Sequence, residues 1–311
     1  MSEKPLTKTL QRLREASKMA AWRQWRALGA GASSTKPAFA LVDPEALVLL
    51  SLALTEEERR LWDLLAWWSR VGSPLLSVQR IKNLARTYPE AVRLKLGQFA
   101  YLSLSEGGDF RWKPLARSRP VKTIRLKKSL GERPTLAEPG ALLLRLRIGF
   151  GVGIKADVLG FLLGIQGGWA SAREITEATS YTSQAVRRGL EDMAEARLLE
   201  ATGETPAKYR LDPRGWVELL GVSGGLPAWR YWHPVFALVA ALLEWRATPS
   251  FATATPYLLS SRARDLVERH QAAFRRNRIG IPHPEDYPGE RYLQAFEETL
   301  RVLAQWMEEN V

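Results

Sequence analysis

A Ser-Ala-Arg-Glu box at Ser171–Glu174 does more than any other feature to limit what this chain can become. The Ser171 hydroxyl suits the free N3 amide of a new helix, and Glu174 can reach back to the cap amide, so a helix start is encoded there. That helix carries Ala172, Ile175 and Ala178 on one face and ends by Ser180. After a turn at Tyr181–Thr182, Ser183 is expected to cap a second helix, with Val186, Leu190 and Met193 at four- and three-residue spacing. Leu198–Leu199 leads into a polar turn over Ala201–Pro206, an extended return follows at Lys208–Leu211, and Asp212–Pro213 closes the unit. Ahead of it, Ile154–Ile165 reads as a short apolar helix that stops at Gly167–Gly168.

Two helices joined by a short turn and followed by a two-stranded hairpin have a mechanical use. The first helix holds the second so that its N-terminal turn can enter a DNA major groove. Val186, Leu190 and Met193 supply the apolar inner face; Ser183, Gln184, Arg187 and Arg188 supply donors and acceptors on the outer one. Gln can pair bidentately with adenine and Arg with guanine, each worth about 1–3 kcal/mol of discrimination. Thr182, Ser183 and the first amides of that helix suit a phosphate, as does Arg173 on the preceding helix. Lys208 and Arg210 stand on the hairpin, in reach of the flanking backbone or minor groove.

From Ser171 to Pro213 the segment SAREITEATSYTSQAVRRGLEDMAEARLLEATGETPAKYRLDP resembles the winged helix-turn-helix of MarR- and ArsR-type bacterial regulators. The likeness rests on the Glu174-Ile175 start, the Tyr181-Thr182-Ser183 turn, Val186-Arg187-Arg188, Leu190 before Leu198-Leu199, and a return at Tyr209-Arg210-Leu211. It covers about residues 153–213. It departs at Ala196-Arg197-Leu198, where such proteins often place a glycine. The resemblance implies recognition-helix contacts from Ser183, Gln184, Arg187 and Arg188, with Arg173, Tyr181 and Thr182 beside them, and wing contacts from Lys208 and Arg210.

Composition agrees with a polyanionic partner without choosing one. Lys and Arg number 45 against 33 Asp and Glu, a net charge of +12 in 311 residues, which suits nucleic acid, an anionic membrane surface or an acidic protein. The segment 153–213 is itself slightly acidic. Residues 111–133, by contrast, hold nine Lys and Arg against Glu132 alone. Arg111, Lys113, Arg117, Arg119, Lys122, Arg125, Lys127 and Lys128 are therefore secondary candidates for nucleic-acid contact. The same run also reads as a solvated linker, or as an arm for RNA or a single strand. Docking of another protein by the winged helix, as in an antitoxin-like partner, is a further reading.

With no cysteine, disulfide frameworks, thiolate metal sites and cysteine nucleophiles are excluded. Only His233, His270 and His283 remain as imidazole ligands, so no metal and no cofactor is expected. GFGVG at Gly149–Gly153 lacks the Lys-Ser/Thr ending of a phosphate loop and reads as a turn. His283 beside Glu285 and Asp286 sits in a proline-rich loop and makes no convincing catalytic pair, so an enzyme is not expected. The longest apolar run, Val235–Leu243, is about half of what a membrane-spanning helix needs. No leader is legible near the N-terminus, so a cytoplasmic location is expected.

The expected fold is mainly α: a winged helix-turn-helix, single or tandem, with small β-hairpin wings and a C-terminal helical domain. The expected partition is a basic amphipathic helix over 1–30, a helical domain over 44–115, a basic connector over 116–140, the winged unit over 141–213 and helices over 214–311. Ala91-Val92-Arg93, Leu96 and Phe99 repeat the spacing of Ala185-Val186-Arg187, Leu190 and Met193. Tyr101–Leu104 and Phe110–Trp112 then alternate like strands about Glu106–Asp109, so residues 44–115 read as a degenerate second winged helix. Leu293, Phe296, Leu300, Leu303 and Met307 form a 3,4-spaced stripe, a bundle seam or the face of a homodimer. The tryptophans at 62, 67, 68, 229, 232 and 245 fall in helical apolar patterns and read as core.

Overall fold

The computed structural model describes residues 5–30, 37–117, 134–222 and 225–311. The described chain is mainly helical, with one small antiparallel sheet. Its helices are α1 (Pro5–Ala27), α2 (Pro44–Leu54), α3 (Arg60–Val71), α4 (Val78–Leu84), α5 (Glu90–Ser105), α6 (Leu142–Phe150), α7 (Ile154–Gly164), α8 (Ala172–Thr179), α9 (Ser183–Glu195), α10 (Pro213–Leu220), α11 (Trp232–Ala247), α12 (Pro249–Thr253), α13 (Pro256–Arg269), α14 (Gln271–Arg275) and α15 (Arg291–Asn310). Strands β1 (Ala170–Ser171), β2 (Glu200–Ala201) and β3 (Lys208–Arg210) pair in the order β1-β3-β2, with Ala170 opposite Tyr209 and Glu200 opposite Arg210. None of the described helices is long and apolar enough to cross a membrane.

Two cores organise these elements. The larger one, the body, is built by α1–α5 together with α11 and α13–α15. Its centre is α2, whose PEALVLLSLAL sequence is almost entirely buried. Asp43 starts that helix by accepting the Ala46 amide, and Pro44 fits the first turn, where no amide is needed. The tryptophans pack as their helical spacing predicts: Trp25 lies edge-on to Trp68, and its indole N–H donates to Ser51 at 2.8 Å. The second core gathers α6–α10 and the sheet, with Leu41 and Trp229 contributed from the connections.

The body closes across the sequence. Residues expected as an N-terminal helix, a 44–115 domain and a C-terminal domain share one core, because α1 lies along α15. Along that seam Phe296, Leu300, Leu303 and Met307 are fully buried and Leu293 is partly so. Ser17 and Met307 touch there at 3.9 Å. The stripe is therefore spent inside the molecule, and the homodimer expected from it loses its surface.

The second winged helix is also corrected. Residues 101–105 continue α5, and Phe110–Trp112 is a single 3₁₀ turn capped by Asp109. Along α5 the neighbours Phe99 and Ala100, then Leu102 and Ser103, are buried in pairs; a helix can do this and an alternating strand cannot. The Glu106–Asp109 segment is a helix end pressed on α3, so close that a Cβ at Gly107 would lie 2.5 Å from the Ser69 carbonyl oxygen. No hairpin follows α5 among the described residues.

The departure from the glycine pattern has a geometric answer. Arg197 itself takes the left-handed conformation, φ 57°, at the end of α9. The Arg197 amide donates to Ala194 and the Leu198 amide to Met193, which completes a Schellman turn with an arginine where glycine is the usual choice. An L side chain costs roughly 1–2 kcal/mol there. Arg197→Gly is expected to raise stability by about 0.5–1 kcal/mol, part of the relief being lost to the freer unfolded chain. The urea midpoint at an unchanged slope measures it.

Candidate nucleic-acid interface

The local design of α8 and α9 follows the sequence closely. The reciprocal box forms at α8: the Ser171 amide donates to Glu174 at 2.8 Å, and the Glu174 amide to Ser171 Oγ at 3.3 Å. The Ser171 amide foremost, and then the Ser171 hydroxyl at 2.7 Å, donate to the Glu174 carboxyl and hold it below the usual carboxylate range. Helix α8 ends at Ser180, in the left-handed region with φ 60°. The cap of α9 is Thr182, whose hydroxyl accepts the Ala185 amide, and not Ser183; Ser183 is the first helical residue. Val186, Gly189, Leu190 and Met193 face the core.

The outer face of α9 is open. Ser183, Gln184, Arg187 and Arg188 are exposed, and neither arginine forms an ion pair or side-chain hydrogen bond among the described residues. A groove of about 420 Å³ runs between α8 and α9, with Arg173, Ser183 and Arg187 on its rim. Arg173 is exposed and pairs loosely with Glu177 one turn on, at 3.1 Å. These side chains make one contiguous surface of donors.

The sheet contributes less than expected. Arg210 is held by Glu200 at 2.7 Å and lies over the Trp169 ring at 4.7 Å, so its charge is already answered. Lys208 is exposed on β3, and its charge helps to depress the Glu174 carboxyl. Tyr181 leaves the candidate surface altogether. Its hydroxyl lies 3.0 Å from Asp157 and 3.1 Å from Ser77, and burial, then the Asp157 charge, pushes its pKa up. Arg111 is exposed but already engaged, donating to Asp109 and to the Ser73 and Leu76 carbonyls. Lys113 and Arg117 are exposed, whereas Arg119, Lys122, Arg125, Lys127 and Lys128 lie outside the described residues.

What sequence reading missed is the device that positions this face. Asp43, Glu45, Arg80, Arg147 and Asp157 are all buried and meet where the two cores touch. Arg80 donates to both Asp43 oxygens and to Glu45, each at 2.6 Å. Arg147 grips Glu45 and Asp157 and donates to the Leu75 carbonyl, so that all five of its N–H groups are used. The extra negative charge is met by neutral donors: the Ser77 amide on Glu45 at 2.7 Å, the Ala46 amide on Asp43, and Tyr181 on Asp157. Burial alone would raise the Asp43 carboxyl, but the Arg80 guanidinium outweighs it and holds the pKa low.

The same cluster reaches the α8–α9 turn. Arg80 Nε donates to the Thr179 carbonyl at 2.8 Å, and Asn83 to the Ser180 carbonyl at 3.1 Å. The visible signal was a charge set among apolar neighbours in a short helix, as in LLLRLRIGF for Arg147 and IKADVLGFLLG for Asp157. Compared with protein families, curated proteins and solved structures, the chain matches none.

Two outcomes follow from this interface. Arg147→Met leaves the buried Asp157 without a cation and removes one of the two on Glu45, and is expected to cost about 3–5 kcal/mol by urea unfolding, with faster amide exchange across 172–195. The second concerns His233 and His270, each pushed down to about 4, mainly by burial. Around His233 the charges are Asp43, Arg80 and Arg276; around His270 the nearest is Arg269. The unfolded chain binds these protons near pH 6.5 and the folded chain only near 4, so their contribution is complete above 6.5 and lost as pH falls through that window. The slope is at most about 1.4 kcal/mol per pH unit for each histidine, and unfolding midpoints between those two limits measure it.

Proposed function

We propose that this protein binds double-stranded DNA through a winged helix-turn-helix formed by α7, β1, α8, α9 and the β2–β3 hairpin, and that it regulates transcription. One observation carries the reading. Arg187 and Arg188 stand exposed beside Ser183 and Gln184 on a helix whose other face is buried; neither forms an ion pair among the described residues, and Arg188 has only the exposed Asp192, one turn on, as a charge neighbour. Unpaired guanidiniums on a preorganised helix suit guanine edges and phosphates. The element order and the β1-β3-β2 sheet are those a winged helix-turn-helix requires, and the groove beside Arg173 can take a backbone phosphate.

In this reading α9 reads the major groove from its N-terminal turn. Lys208 steers the hairpin along the flanking backbone, while Arg210, already paired with Glu200, adds little. Attraction to phosphate is supplied mostly by basic residues outside the slightly acidic 153–213 segment.

A second reading, docking of another protein, is favoured by one feature of the same unit. Leu198 on it, Ile148 and Phe150 on the flanking α6, and Leu219 on the flanking α10 are exposed apolar side chains, and Phe150 packs on Trp216 at 5.7 Å between ring centres. Charge reversal separates the readings. Arg187→Glu with Arg188→Glu is expected to weaken duplex binding at least about a hundredfold and to flatten the salt dependence by about two units of log-log slope. Fluorescence anisotropy across a salt series reads both. Unchanged duplex affinity would overturn the DNA reading in favour of the docking one.

A further inference from the structure

A second concavity lies not on the exposed face of α9 but behind α8. A cleft of about 810 Å³ lies there, with Thr176, Glu177 and Ser180 as one wall and the body as the other. The body wall is made by the turn between α4 and α5 and by α11, α13 and α14. That volume is in the range of small-molecule sites, which run to roughly 1,000 Å³.

Its charge is cationic. Arg86, Arg93, Arg262, Arg269 and Arg276 line it, against Glu90, Glu177 and Glu244. Arg276 is engaged by Glu177 at 3.2 Å, and Arg93 donates to the Tyr88 carbonyl. Arg262 has only a distant carboxylate, Asp265 at 3.9 Å. Arg86 and Arg269 have no ion pair among the described residues. Both are exposed, so neither is needed to fill the fold.

The lining also carries polar atoms with nothing to bond. Tyr88 Oη, His233 Nδ1 and Thr176 Oγ1 are buried, and none has a hydrogen-bond partner. Tyr88 is 2% exposed and its ring lies against that of His233, 5.8 Å between centres. Buried polar groups are almost always satisfied, so three exceptions on residues that line one cavity set it apart. With a surplus of guanidiniums around them, they suit an anion that also offers hydrogen-bonding oxygens.

We propose that this cleft binds a small anionic ligand of the carboxylate or phosphate-ester class, and that its occupancy changes the grip of the body on α8. The route is short. Arg276 holds α8 twice, through the Glu177 carboxylate and, at 2.9 Å, through the Glu177 carbonyl. An anion in the cleft competes with that carboxylate for Arg276 and loosens one of the clamps that orient the α8–α9 pair. Ligand binding stands on the cleft alone; the effect on DNA rests on the function proposed above.

The test uses the full chain and three probes, citrate, inorganic phosphate and pyrophosphate, titrated by calorimetry at matched ionic strength. Citrate separates a carboxylate site from a phosphate one. Saturable single-site binding of at least one probe is expected, weakened at least about tenfold by Arg86→Glu with Arg269→Glu and unchanged by Arg187→Glu with Arg188→Glu. No saturable binding of any probe up to about 20 mM, or binding indifferent to the cleft variant, overturns the site. A saturating probe is expected to shift duplex affinity at least about fivefold. If probe and duplex both bind with no mutual effect, the coupling falls and the site stands. If the probe binds and no duplex does, the DNA reading falls and the site stands.

Discussion

A cluster of five buried charges holds this molecule in one arrangement. Asp43 and Glu45 begin the central helix of the body, Arg80 follows on α4, and Arg147 and Asp157 come from the two helices that open the second core. Taking such charges out of water is expensive, and an apolar cluster of the same volume often gives equal or greater stability. What the ionic version supplies is geometry. Arg147 has every N–H engaged, so the two cores can meet in few other ways without leaving a charge unpaired. Through Thr179 and Ser180 the same cluster sets where the α8–α9 turn sits.

That arrangement sorts the arginines by task. Arg80 and Arg147 are internal fasteners, Arg111 is taken up at the surface by Asp109, and Arg210 is absorbed by its own hairpin. Arg187 and Arg188 are left without an ion pair among the described residues at the start of α9. Arg86 and Arg269 are left in the same way across the cleft behind α8. The net charge of +12 is thus a poor guide to where an anion is bound. The informative quantity is which cations have no carboxylate of their own, and only the folded chain shows that.

Much of the α8–α9 unit was legible because its signals are local. The Ser171–Glu174 box, the inward Val186, Leu190 and Met193, and the return at Lys208–Arg210 depend on residues within one turn or one hairpin of each other. The shift of the α9 cap from Ser183 to Thr182 is within the ordinary ambiguity of adjacent hydroxyls. Reading Tyr181 as a contact failed for another reason. Its partners, Ser77 and Asp157, are distant in sequence, and an aromatic in a turn shows no preference between solvent and a neighbouring core. The misplaced hairpin at 101–112 failed because two apolar pairs in a row fit a helix packed on α3 as readily as a short alternation.

By itself the sequence determined most of the helices, the capping box of α8 and the polar outer face of α9, since periodicity and capping act over a few residues. It also carried the α15 stripe without naming its partner. Tertiary structure decided that this partner is α1, that residues near both ends of the chain complete one body, and that five charges from separate segments neutralise one another between the cores. Ion pairs and cavities are properties of approach between distant segments. Their energy depends on burial and on distances of a few ångströms, and neither is set until the chain has folded.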